Sequence, residues 1–191
     1  MRPTLCLAAA LVLAASSFAQ PLPGKKFELS ISGGYQHFSS GSSTSSSLFF
    51  LSPRFGVFVT EGLEVEPEIT SMFTSGADPA YVANGNLAYN FKAQGRALVF
   101  VLAGYGIANG IPIEGVVTGG MKDVTFGVLN LGAGVKILFS EDVAVRTEFR
   151  YQRFSGTYQN QYWLDVAPQG SASQSYEVTL FSVQFGLTVF L

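Results

Sequence analysis

Charge is scarce in this chain. Asp, Glu, Lys and Arg together make up 13% of its 191 residues, about half the ~25% usual for a soluble domain. The formal net charge is −2 and no basic patch stands out, so nucleic acid, which is held by neutralising its phosphates, is not an expected partner. Cysteine and histidine are nearly missing as well, with Cys6 and His37 the sole examples. That excludes a disulfide framework, a thiolate site beyond the N-terminal segment and a His-rich metal cluster. Asp78, Asp123 and Asp165 are scattered acids without the spacing of a calcium loop. No metal or cofactor is therefore expected. Past the N-terminal segment no apolar run approaches the ~20 residues of a membrane helix. The nearest, Ala97 to Ile107, is short and rich in glycine and β-branched residues.

The N-terminal segment has its own explanation. Arg2 supplies a positive charge, Leu5 to Ala15 is apolar and uncharged, and Ser17-Phe18-Ala19 places small residues before Gln20. This is the pattern of a secretory signal peptide over 1–19, which leaves 20–191 as one domain. Cys6 lies at the wrong end for a lipoprotein signal.

What is present is a rhythm of two. Eight stretches alternate apolar and polar residues: Phe27–Phe38, Leu48–Val59, Leu63–Thr70, Asn86–Gln94, Ala97–Ile107, Phe126–Phe139, Val143–Phe154 and Tyr176–Leu191. The gaps between them run long, short, long, short, long, short, long. The short ones are Thr60-Glu61-Gly62, Gln94-Gly95-Arg96 and Ser140-Glu141-Asp142. The long ones are the Ser/Gly tract Ser39–Ser47, Thr74–Gly85 with its turn formers Gly76, Asp78, Pro79 and Asn84, Ala108–Thr125, and Ser155–Ser175. Such strands exceed the usual five or six residues of globular sheets and suit a tilted span of a bilayer. Backbone groups in hydrocarbon must all be paired, so the sheet has to close. The reading is an all-β, eight-stranded antiparallel up-and-down transmembrane β-barrel, with both termini and the short turns on the periplasmic side and the long gaps outside. Pro53, inside the second stretch, suggests a bulge there.

In these stretches one phase is oily and the other polar, except Ala97–Ile107, which is apolar on both phases and whose register is ambiguous. Glu64, Glu66 and Glu68 share a phase, and three stacked carboxylates cannot face lipid. By the same alternation Arg54, Lys92, Lys136, Arg146, Glu148 and Arg150 point inward. These nine residues form an expected lumen charge network, structural or gating, with Arg146 and Arg150 as partners for the carboxylates. Gly132 and Gly134 make room for large neighbours. Around the single histidine, His37, lie Ser39, Ser40 and Ser42, a composition a lipid-modifying enzyme could use, although nearly any barrel rim is rich in serine. Tyr158, Tyr162 and Trp163 suit an aromatic belt or a recognition patch.

Phe100-Val101-Leu102-Ala103-Gly104-Tyr105-Gly106, and the pair Asn130–Lys136 with Val143–Arg150, resemble the eight-stranded outer-membrane β-barrel family that includes the OmpA-type transmembrane domain and the OmpX-like and OmpW-like small barrels. The resemblance implies a bacterial outer-membrane location, lipids and the barrel-assembly machinery as partners, and roles ranging from structural protein to adhesin to narrow channel. The final stretch has the alternating Phe185, Leu187 and Val189, but it ends in Leu191 where the family's assembly signal usually has Phe. No peptidoglycan-binding domain is expected after it. The functional expectation is a non-enzymatic structural or surface-interaction protein whose outer loops meet an extracellular ligand. A porin-like channel for ions or small solutes is the alternative, and a lipid-modifying enzyme comes third.

Overall fold

The computed structural model describes residues 24–40, 44–74, 78–92, 95–110, 125–159 and 173–191. The segment 1–19, expected to be a signal peptide, and most of the third and fourth long gaps, with Tyr162 and Trp163, lie outside the described residues. The strands are β1 (Phe27–Ser40), β2 (Thr44–Phe58), β3 (Leu63–Thr74), β4 (Ala80–Lys92), β5 (Ala97–Ala108), β6 (Phe126–Leu138), β7 (Val143–Gln159) and β8 (Ser173–Phe190). Each pairs antiparallel with its neighbours in sequence, and β1 pairs with β8, closing an up-and-down barrel.

One end of the barrel is built from tight turns. In the β2–β3 turn, Val59 N donates to Leu63 O, and Gly62 adopts a φ of 88° that side chains disfavour. In the β6–β7 turn, Ser140 Oγ accepts from the backbone N–H groups of Asp142 and Val143. The start of β1 and the last residue meet at this same end, where Leu191 N donates to Phe27 O at 2.9 Å. An ion pair between Lys25 and Asp142 ties the entry to a turn.

Three expected gaps shrink. β4 begins at Ala80 rather than Asn86, and Asn84, expected as a turn former, pairs with Glu68. Thr44–Ser47 of the Ser/Gly tract pairs with His37–Ser40. Ser155–Gln159 pairs with Ser173–Glu177 and places Tyr158 in β7. Ladder bonds join backbone groups and need no apolar side chain, so hairpins continue past the point where hydrophobic periodicity fades. The expected bulge at Pro53 is absent. Leu51↔Ser71 and Arg54↔Glu68 share one register across it, with no residue inserted, and the β1–β2 register is unbroken. Pro53 and Pro67 both face outward.

The exterior is an uncharged apolar band. Outward positions hold Leu29, Ile31, Val65, Ile69, Val101, Leu131, Val183 and Leu187, all exposed. Among the described strand residues, outward charge appears only at Arg153 and Glu177 beyond the band, which pair with each other. Aromatic pairs flank the band: Phe27 stacks on Phe55 and Tyr89 meets Phe91 toward the turn end, while Phe49 stacks on Phe73 toward the other. An exterior this oily cannot face water, so the fold is inverted relative to a soluble barrel.

Candidate functional site

Alternation along the strands turns every second side chain inward, and the closed sheet brings those side chains together. Arg54, Glu64, Glu66, Glu68, Lys136, Arg146, Glu148 and Arg150 all lie buried in the lumen. Lys92 lies in β4, registered with Leu98, but its side chain is outside the described residues. Glu28 of β1, not counted in the charge network above, is also fully buried there.

Because β3 and β7 are four strands apart in an eight-stranded ring, they face each other across the lumen. Arg146 reaches from β7 to β3 with a two-pronged contact, Nη1 to Glu66 Oε2 at 2.6 Å and Nη2 to Glu66 Oε1 at 3.2 Å. Farther from the turn end, two inward positions along β7 and one along β3, Arg150 Nη1 donates to Glu68 at 2.5 and 2.7 Å. These are crossbars over the barrel's diameter, and the forked guanidinium geometry suits them. Glu148 joins them sideways. It accepts from Arg146 Nε at 3.0 Å, Arg150 Nε at 2.6 Å and Arg54 Nη1 at 2.8 Å. Arg54 also reaches Gln184 Oε1 at 2.5 Å and lies 3.1 Å from Glu68.

Toward the turn end, Lys136 Nζ sits 2.5 Å from Glu28 and 3.2 Å from Glu64. Its ammonium and the Arg146 guanidinium also lie over the Phe100 ring, a favourable contact for a desolvated cation. Phe100 can lie there because Gly134 has no side chain; a Cβ at Gly134 would collide with that ring. Glu28, Glu64 and Glu66 place oxygens within 4.8 Å of one another, close enough to need positive charge. Lys136 and Arg146 already supply it.

Apolar layers lie above and below the ionic one. Toward the turn end, Leu98, Ala144 and Phe190 cluster with Phe58 and Leu138. Toward the other end, Leu48, Phe50, Met72, Val82, Phe126, Val128, Phe154 and Leu180 form a larger buried cluster. His37, the residue of the enzymatic alternative, is in β1 opposite Ser47; its side chain and Ser42 lie outside the described residues.

A closed barrel that is oily outside and ionic within is a transmembrane β-barrel. The chain matches the family described as outer membrane protein beta-barrel domain over residues 5–188, and it belongs to that family, which places it in the bacterial outer membrane. Among solved structures, it resembles the N-terminal beta-barrel domain of Pseudomonas aeruginosa OprF, with a TM-score of 0.56 and 16% identity over 87% of this chain and 98% of that one. It is also similar to Neisserial surface protein A (NspA), with a TM-score of 0.55 and 13% identity over 86% of this chain and 96% of that one. At such identities the likeness is one of fold. Comparison with curated proteins gives no match.

Proposed function

We propose that this protein is a non-enzymatic, closed outer-membrane barrel with a structural or surface-interaction role, its turn end and both termini in the periplasm and its longer connections outside. The observation that carries this reading is the layering of the lumen. Two guanidinium–carboxylate crossbars span its diameter, and packed apolar clusters lie on both sides of them. An eight-stranded barrel is only wide enough for its interior to be filled by side chains. Here that interior is paired charge between apolar layers, which offers an ion no continuous polar route. The lumen network is thus structural, and contact with other molecules falls to the outer connections.

The polar middle layer favours the narrow channel as the second reading, and conductance separates the two. Folded wild-type protein in planar bilayers should give no discrete current steps. Reproducible steps that Glu66→Gln or Arg146→Met abolishes would establish the channel instead.

A further inference from the structure

The seam that closes the barrel is paired over only part of its length. Near the turn end, β1 and β8 are in register from Glu28↔Phe190 to Gly33↔Phe185. Both strands then continue. β1 stays paired with β2 as far as Ser40↔Thr44, and β8 with β7 as far as Gln159↔Ser173. Among the described residues no register joins β1 to β8 over that stretch. Each strand therefore has one side without a ladder.

The break falls where the filling of the lumen changes. Along the paired part the inward residues are small: Ser30 and Ser32 on β1, opposite Thr188 and Gly186 on β8. Gly186 lies so close to β1 that a Cβ there would collide with Ser32. Beyond it come larger groups. Gln184 is buried and held by Arg54, and the Phe50 ring takes the place that a side chain on Gly34 would fill. At Gly34 the strands are still near each other, since a Cβ there would also meet Val183 O at 2.8 Å, yet the ladder has ended. Phe50 and Leu180 belong to the packed cluster behind this part of the seam. Bulk inside a narrow ring opposes its closure.

The open part begins within the membrane. An apolar band of about 25 Å takes roughly ten residues of a strand tilted by ~40°. Counted from Phe27 on β1 and from Leu191 on β8, the band includes Tyr35 and Val183, which face outward and are exposed. Lipid tails offer no hydrogen bonds, and a strand edge in hydrocarbon has to be paired.

We propose that a second copy of this chain completes the edge. β1 and β8 run in opposite directions. When two barrels meet seam to seam, β1 of one copy lies antiparallel to β8 of the other, and the reciprocal pair forms at the same time. The contact is self-complementary about a twofold axis along the membrane normal. Depth is matched too, because identical apolar bands sit at one height in the bilayer. Tyr35 and Val183 carry no charge that would hold the copies apart. Strand addition at a sheet edge supplies the missing main-chain bonds, which a lipid covering the same side chains could not do. The inference does not depend on whether the lumen conducts.

Beyond Cys6 the chain has no cysteine, so introduced cysteines report the contact. Were the register past Gly33↔Phe185 to continue, Tyr35 would lie opposite Val183. Tyr35→Cys and Val183→Cys barrels, refolded together into phosphatidylcholine vesicles, are oxidised with copper–phenanthroline, which enters hydrocarbon. A disulfide-linked dimer with one chain of each kind is expected, formed by neither variant alone; its absence overturns the proposal. The chain with both substitutions should link between copies. A disulfide confined within single chains would show that the seam closes on itself and would also overturn it. Wild-type barrels released from the same vesicles for native mass spectrometry should be dimers. Should the cysteine variants fail to fold, this measurement decides, and monomers alone would refute the second copy.

Discussion

The two halves of the lumen solve the same packing problem by opposite means. In the half nearer the turn end, above a small apolar cluster, the space is filled by five carboxylates and four cations whose positions are fixed by hydrogen bonds between strands. Toward the other end it is filled by Phe50, Met72, Phe126, Phe154 and their neighbours, fixed by shape. The ionic half gains directionality: each arginine names its partner strand, so β3 and β7 are held at one register across the barrel. It also carries risk, because a buried ion pair adds little net stability while a broken one leaves an uncompensated charge. The apolar half has no such penalty. Around it one seam is thinner than the rest, since β1 and β8 are registered only from Glu28↔Phe190 to Gly33↔Phe185 while β7 and β8 pair on to Gln159↔Ser173.

That contrast can be broken from either side. The largest effect is expected from Arg146→Met. It removes the cation shared by Glu28, Glu66 and Glu148 and should destabilise the barrel by about 3–5 kcal/mol, read as a lowered urea midpoint in micelles. In the apolar half, Phe154→Ala leaves a cavity next to Val128 and Leu180. A loss of about 3 kcal/mol is expected there, near the lower end for a buried phenylalanine, because the cluster can partly collapse. If Phe154→Ala proves costlier than Arg146→Met, the apolar half and not the ionic one dominates the interior. The smallest effect is expected from Arg153→Ala. Arg153 and Glu177 pair on the outer surface with both side chains about half exposed, where such pairs contribute little, and the urea midpoint should not move measurably.

The parts of this molecule that were legible in the sequence follow the same division. Alternation marked Glu64, Glu66 and Glu68 as inward because lipid forbids three charges on one face, and the other strands' phases followed from their own alternation, apart from Ala97–Ile107, which is apolar on both phases. Glu28 sits in that inward phase between Phe27 and Leu29, so its side was readable. Its partners were not, since Lys136 and Arg146 are more than a hundred residues away and meet it only through register. The upper cluster escaped for a different reason. Phe50 is flanked by Phe49 and Leu51, and Val128 is followed by Leu129, so an apolar residue in the inward phase looks the same as its lipid-facing neighbours and does not announce a packed cluster. Asn86, Asn130 and Gln152 were readable as inward and are buried, but which groups they bond was not, because an inward amide looks the same in sequence whatever its partner. Strand ends at Ser39–Ser47 and Ser155–Ser175 were hidden by composition, as serine and glycine tracts resemble loops even where the backbone stays in the ladder.

The account rests on the crossbars acting as ties between β3 and β7, and a double-mutant cycle on Arg146 and Glu66 measures that most directly. Unfolding free energies of wild type, Arg146→Met, Glu66→Leu and the pair should reveal a coupling of at least ~1.5 kcal/mol, with the double variant far less destabilised than the two single losses added together. Additive losses, with coupling within about 0.5 kcal/mol of zero, would mean that the two side chains only fill space and that the crossbar does not hold the barrel together.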